Sequence, residues 1–210
     1  HALVSGQDLD GDGLDDLVVG APSAMLGEET RGAAYIFYSP YRSGLDITDA
    51  DVVIYGDDAG DEFGYAMTSL EDWDGDGSID VVVSSPGADS DSGEAHLFRP
   101  MALGDGTVAS ALSYTTLGGS GGRLGSAVSA LGDLDGDGMA EVTLGAPDAS
   151  TAGAYLYWSS GASGALSPDA SLESAETGVT VGATLGGVVD VSTGTLDWQA
   201  VGGWGGSGSG

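Results

Sequence analysis

Short runs of aliphatic and β-branched residues recur along the chain, each closed by a proline. They are Leu17–Val19 ending at Pro22, Val81–Val83 ending at Pro86, and Val142–Leu144 ending at Pro147. Runs this short, rich in valine and bounded by turn residues, predict strands rather than helices. A second apolar run follows each one, from Gly32 to Phe37, Gly93 to Phe98 and Gly153 to Tyr157, and a looser strand is expected near Val52–Tyr55, Ala111–Thr115 and Ala170–Glu173. Ahead of the proline-closed runs stand Phe63-Gly64, Leu124-Gly125 and Val181-Gly182, each leading into a further short strand, and His1–Val4 aligns with that strand. The pattern is a unit of four short strands repeated in tandem.

The polar positions are as regular as the apolar ones. Between the first and second strand of each unit lies an acidic loop with carboxylates at its positions 1, 3, 5 and 9: Asp8, Asp10, Asp12 and Asp16; Asp72, Asp74, Asp76 and Asp80; Asp133, Asp135, Asp137 and Glu141. Position 6 is glycine each time (Gly13, Gly77, Gly138), which lets the backbone turn sharply. A hard cation such as Ca²⁺ takes oxygen ligands in number, and alternate carboxylates on a tight loop supply them, with the carbonyl of position 7 (Leu14, Ser78 or Met139) completing the shell. In an EF-hand the bidentate acid stands at position 12 and a helix follows. Here the acid stands at position 9 and a strand follows, so the loops are not EF-hands. The expectation is three Ca²⁺ per chain. Trp73, between two ligands of the second loop, is expected to project outward as a contact for a sugar or protein.

The first aspartates of successive loops are 64 and 61 residues apart, and a fourth copy begins 57 residues later at Asp190. That copy has Ser192 and Gly194 in place of its second and third carboxylates and is expected to hold no metal. Four-stranded units in tandem are the sequence mark of propeller blades. With Phe63-Gly64 as its aromatic-glycine pair, and Gly20-Ala21-Pro22 and Gly145-Ala146-Pro147 after its second strands, the chain resembles the FG-GAP repeat family. That family forms the β-propeller of integrin α subunits and of many bacterial surface proteins. The resemblance implies an all-β fold of three four-stranded blades plus part of a fourth, an incomplete ring in one chain. It places the cation loop between the first and second strands of a blade. The implied organisation is a propeller segment over residues 1–204, with blades near 1–62, 63–123, 124–180 and 181–204, followed by a Gly/Ser tail at 205–210. Blade 2 departs by carrying Ser84-Ser85-Pro86.

Composition narrows the partners. The chain has 33 acidic residues against four arginines and no lysine, a formal charge of −29. Twelve of those acids are the proposed ligands, and three dications would leave −23. Such a surface repels a phosphate backbone and an anionic membrane surface, and no run of about 20 apolar residues is present, so neither nucleic-acid binding nor membrane insertion is expected. There is no cysteine, so calcium rather than a disulfide is the expected staple. Modular sites of this kind suit extracellular calcium, which together with the missing leader ahead of His1 fits a processed, secreted or cell-surface chain. Lysine and asparagine, both with A-rich codons, are absent, which points to a GC-rich and plausibly bacterial genome.

Other candidate chemistry is thin. His1 and His96 are the only histidines, and His96 occupies the strand slot of Tyr35 and Tyr155, so it reads as a packing residue and not a copper ligand. Asp89-Ser-Asp91-Ser92 and Asp190-Val-Ser192 faintly match metal-dependent adhesion motifs. Tyr35, Phe37, Phe98, Tyr155, Tyr157 and Trp158 mostly read as blade-to-blade packing, and Trp198 and Trp204 as cover for an exposed blade edge. Three functional classes follow: a non-catalytic adhesion or ligand-binding module for a protein or glycan; a structural subunit that assembles with copies of itself into a ring or filament; and a calcium-dependent polysaccharide-acting enzyme. Without lysine, cysteine or a placed histidine, the enzyme reading is the weakest. An arc of three blades and a part is expected to need further repeats, in the same polypeptide or in other copies, to cover its ends.

Overall fold

The computed structural model describes residues 2–100, 106–107, 115–118, 121–150, 153–159, 164–173, 184–185 and 201–202. The loop at Asp190, the tail at 205–210, His1, Trp198, Trp204 and most of the expected strand Ala111–Thr115 lie outside the described residues.

Blade 1 is an antiparallel sheet of β1 (Leu3–Gln7), β2 (Asp16–Ala21), β5 (Ala33–Phe37) and β6 (Val52–Tyr55), with a small hairpin, β3 (Met25–Leu26) and β4 (Glu29–Thr30), between β2 and β5. Blade 2 repeats the order with β7 (Met67–Leu70), β8 (Asp80–Ser85), β9 (Glu94–Phe98) and β11 (Thr115–Gly118), and a single turn, α1 (Ala88–Asp91), stands where blade 1 has its hairpin. Blade 3 consists of β12 (Ala127–Gly132), β13 (Glu141–Ala146), β14 (Gly153–Tyr157) and β16 (Ala170–Glu173). A further pair, β17 (Thr184–Leu185) with β18 (Val201–Gly202), stands beside β12 and β13. The fourth strand of blade 2 thus starts where sequence expected it to end.

Two short strands add something the repeat pattern did not show. β10 (Gly106–Thr107), from the connection between β9 and β11, pairs parallel with β6 of blade 1. In the same way β15 (Gly164–Leu166), between β14 and β16, pairs parallel with β11 of blade 2. Blades 2 and 3 each therefore lend a strand to the outer edge of the blade before, satisfying backbone groups that an edge would expose.

The blades stack face to face. Val18, Ile36, Val52 and Ile54 of blade 1 pack on Phe63, Val81, Val83 and Phe98 of blade 2. On the other face of blade 2, Val82, Leu97 and Leu117 pack on Val142, Leu144, Tyr155 and Tyr157 of blade 3. Alternation along a strand sends neighbours to opposite blades, which is why the second strands read as unbroken apolar runs. β8 and β13 are buried at every residue, whereas in β2 only alternate residues are. Leu17, Val19 and Ala21, on the face of blade 1 turned away from blade 2, are half-buried.

At the junctions the aromatic-glycine pair meets the preceding blade through backbone. The amide of Phe63 donates to the Arg31 carbonyl at 3.1 Å, and Leu124 repeats this with Ser92 at 3.1 Å. A Cβ on Gly64 would strike the Ala33 carbonyl oxygen, and one on Gly20 would strike the carbonyl of Gly64. Gly20 is thus required by the closeness of Gly64, and Gly64 by the closeness of Ala33. In blade 2 the residue matching Gly20 is Ser84, whose hydroxyl accepts from the Ala66 amide at 2.9 Å and donates to its carbonyl at 3.0 Å.

Candidate metal centre

The three acidic loops share one backbone design. The position 1 carboxylate accepts the amides of positions 4 and 6 across the turn. Asp8 takes Gly11 at 2.7 Å and Gly13 at 2.8 Å, Asp72 takes Gly75 at 2.7 Å and Gly77 at 2.9 Å, and Asp133 takes Gly136 at 2.6 Å and Gly138 at 2.9 Å. At position 5, Oδ1 of Asp12, Asp76 and Asp137 accepts the amide of Leu14, Ser78 and Met139 at 2.8, 2.8 and 2.9 Å. The position 9 acid closes the loop from below: Asp16 accepts the Leu9 amide at 2.7 Å, Asp80 that of Trp73 at 2.8 Å, and Glu141 that of Leu134 at 2.6 Å. Glycines 11, 13, 75, 77, 136 and 138 all have positive φ, which makes this winding available.

The result is a tight set of carboxylate oxygens in each loop. Asp8, Asp10 and Asp16 converge within 4.8 Å of one another, as do Asp72, Asp74 and Asp80, and Asp133, Asp135 and Asp137. Like charges held this close repel unless a cation lies between them, and an all-oxygen donor set suits Ca²⁺. The residues present therefore fit the ion the sequence implies. Loops 1 and 2 bring together positions 1, 3 and 9, leaving Asp12 and Asp76 outside the tight set. Loop 3 brings together positions 1, 3 and 5. Its Glu141 is longer by a methylene and is committed elsewhere, with Oε2 on the Leu134 amide and Oε1 accepting from the Ser159 hydroxyl at 3.1 Å. Burial raises the Glu141 pKa, against the lowering effect of those two donors.

Trp73 requires a correction. Its side chain is 0% exposed and lies among Leu70, Val82, Leu97 and Leu117 between blades 2 and 3. The cause is the bond from its amide to Asp80, which turns position 2 inward. Leu9 stands at the same position of loop 1 and is buried too. An apolar residue at position 2 of all three loops was the available signal, and it rules Trp73 out as a solvent-facing contact.

Three neighbours of the loops were not legible as site residues. The Ser39 amide donates to Asp16 Oδ1 at 2.8 Å, and the Tyr38 hydroxyl, beside Asp10 and Asp16, donates to the Pro100 carbonyl at 2.8 Å. Arg99, one residue beyond β9, forms ion pairs with Asp74 and Asp76 of loop 2. His96 is 3% exposed, with its ring centroid 6.0 Å from that of Phe63 and 6.3 Å from that of Phe98, and with Glu94 at 3.2 Å. Asp91 belongs to an ion pair with Arg123 at 2.6 Å.

An FG-GAP repeat profile matches residues 1–37, and an FG-GAP-like repeat profile matches residues 72–144. The chain belongs to the FG-GAP repeat family. It is 33% identical over 151 residues to integrin alpha-PS5 of Drosophila melanogaster, a match covering 67% of this chain and 13% of that protein. It is 35% identical over 153 residues to human integrin alpha-X, covering 66% and 12% respectively. Phosphatidylinositol-glycan-specific phospholipase D of Rattus norvegicus is 39% identical over 80 residues, covering 38% of this chain and 9% of the rat protein. This FG-GAP chain thus spans about an eighth of the length of the integrins it matches. Among its described residues no helix is long and apolar enough to cross a membrane.

Proposed function

We propose that this FG-GAP segment is a calcium-loaded part of an extracellular β-propeller that serves adhesion, ligand binding or scaffolding, without catalysis of its own. The observation that carries the reading is the recurrence of one loop geometry three times at the same end of successive blades, each with three carboxylates converging. The ligands are the carboxylates at positions 1, 3, 5 and 9, joined by the carbonyls of Leu14, Ser78 and Met139. Each ion would offset half of the four negative charges of its loop and clamp the first two strands of a blade. The integrin relatives favour a protein partner, a glycan being the other candidate. A non-catalytic role is favoured by what the candidate groups are engaged in: Arg31 with Glu29, Arg99 with loop 2, Arg123 with Glu62 and Asp91, and His96 packed between aromatic rings. The half-covered face of Leu17, Val19 and Ala21 is the kind of surface another blade covers, from the same polypeptide or from a second copy.

Calorimetric titration with Ca²⁺ tests the reading. Three ions per chain are expected, falling to two in each of Asp8→Ala, Asp72→Ala and Asp133→Ala. Fewer than two ions in the unaltered chain would overturn it.

A further inference from the structure

The three loops share their backbone but not their surroundings, and the difference lies in one slot. The residue immediately after the third strand's last aromatic is Tyr38 in blade 1, Arg99 in blade 2 and Trp158 in blade 3. All three stand at the end of the blade that carries the acidic loop. Tyr38 spends its hydroxyl on the Pro100 carbonyl, and Trp158 is neutral. Arg99 instead places its guanidinium on loop 2, pairing with Asp74 Oδ2 and, at 3.2 Å, with Asp76 Oδ2. Among the described residues no ion pair reaches loop 1 or loop 3. Arg31 and Arg123 are at the opposite end of the blades, held by Glu29 and by Glu62 and Asp91.

We propose that Arg99 is a built-in counter-ion of loop 2, one that competes with the divalent cation and makes this loop the weakest and most exchangeable of the three cation sites. This rests on the calcium reading of the loops given above. The competition is direct, because Asp74 belongs both to the set that converges on the ion and to the pair with Arg99. The Asp74 side chain is 4% exposed, so its attraction to the guanidinium is poorly screened, whereas Arg99 is 42% exposed and can swing into solvent. Without calcium the arginine offsets the repulsion between loop carboxylates. With calcium it must leave Asp74, and its positive charge opposes the incoming dication. Loop 2 therefore responds to calcium over a higher concentration range than its neighbours, and loading it frees a cationic side chain at the rim of an otherwise acidic surface.

The test is calorimetric Ca²⁺ titration of the full chain, of Arg99→Gln and of Arg99→Lys, with melting curves of each in EDTA and in millimolar calcium. The expected result is three ions, one of them bound about tenfold more weakly than the others. Arg99→Gln should tighten that one site about tenfold and leave the other two unchanged, while Arg99→Lys, which keeps the charge, should leave it weak. Melting should show a reversal of sign, with Arg99→Gln less stable than the parent in EDTA and more stable in calcium. Three ions with constants indifferent to Arg99→Gln would overturn the inference and leave the calcium reading intact. No bound ion in any protein would overturn both.

Discussion

The two ends of each blade are held by opposite kinds of chemistry. At one end, carboxylates wrap the backbone of an acidic loop, and a Cβ added at Gly13, Gly77 or Gly138 would meet nothing within 4 Å. At the other end, the aromatic-glycine pair of one blade lies on the Gly-Ala-Pro turn of the blade before it, and a Cβ on Gly32 or Gly93 would run into the backbone of Phe63 or Leu124. Glycine recurs at both ends for different reasons. In the loops it supplies a positive φ alone, while at the junctions it supplies a positive φ and the space for another strand's backbone. The loop end is thus held by charge, which solution conditions can change. The junction end is held chiefly by backbone contact, with the ion pairs of Arg123 to Glu62 and Asp91 beside it, and so depends less on those conditions.

Substituting alanine for one glycine of each kind is the sharpest way to break this comparison. Gly93 and Gly77 have nearly the same φ, +81° and +82°. Gly77→Ala should cost only the left-handed backbone penalty, about 1 kcal/mol. Gly93→Ala adds a collision with the Leu124 backbone that no side-chain rotation relieves, and a loss of about 3 kcal/mol or more is expected. Urea unfolding in saturating calcium measures both. Equal losses would mean that the junction is no tighter than the loops.

How much of this was legible in the sequence follows the same division. The winding of the loops could be read from sequence, because the spacing of their acids and glycines is local and repeats three times. The strands were legible too, since alternation between two buried faces leaves an apolar run ended by proline. What the sequence did not show is whatever depends on a second blade. Trp73 looked exposed because its neighbours in sequence are candidate ligands, yet Asp80 turns it into the interface with blade 3. The edge strands Gly106–Thr107 and Gly164–Leu166 carry no strand pattern, since they form by completing another blade's sheet. Arg99 stood as one of four scattered arginines until the fold placed it on loop 2.

Removing calcium should affect the loop end alone. With site constants of roughly 10⁻⁴–10⁻³ M, three ions at millimolar calcium are expected to add a few kcal/mol, so EDTA should lower the thermal midpoint by about 10 °C. A midpoint unmoved by EDTA would mean that the junctions hold the blades without help. A smaller effect separates loop 3 from the other two. Ser159→Ala removes the hydroxyl that holds Glu141 Oε1, leaving a buried carboxylate short of a donor at a cost of about 1–2 kcal/mol. If an ion in loop 3 takes that carboxylate as a ligand, the loss should shrink in millimolar calcium and persist in EDTA. Equal losses in both conditions would place Glu141 outside the ion's reach.

The smallest expected effect concerns Tyr38, which spans the two descriptions by standing beside loop 1 while bonding across to blade 2. Its hydroxyl donates to the Pro100 carbonyl at 2.8 Å, so Tyr38→Phe should cost about 1 kcal/mol at neutral pH. Burial, and then the charges of Asp10, Asp16 and Asp51, push the phenol up to about 12 from the ordinary value of 10.0. A raised folded pKa means that the folded chain keeps a proton the unfolded chain gives up. The contribution is therefore complete below pH 10 and lost as pH rises through 12. The phenylalanine variant has no such proton, so its stability should fall less steeply over that window. Urea unfolding of both proteins at pH 8 and at pH 11.5 reads the difference, expected to close or change sign at the higher pH. A gap that stays constant would show that the Tyr38 hydroxyl does not feel the loop carboxylates.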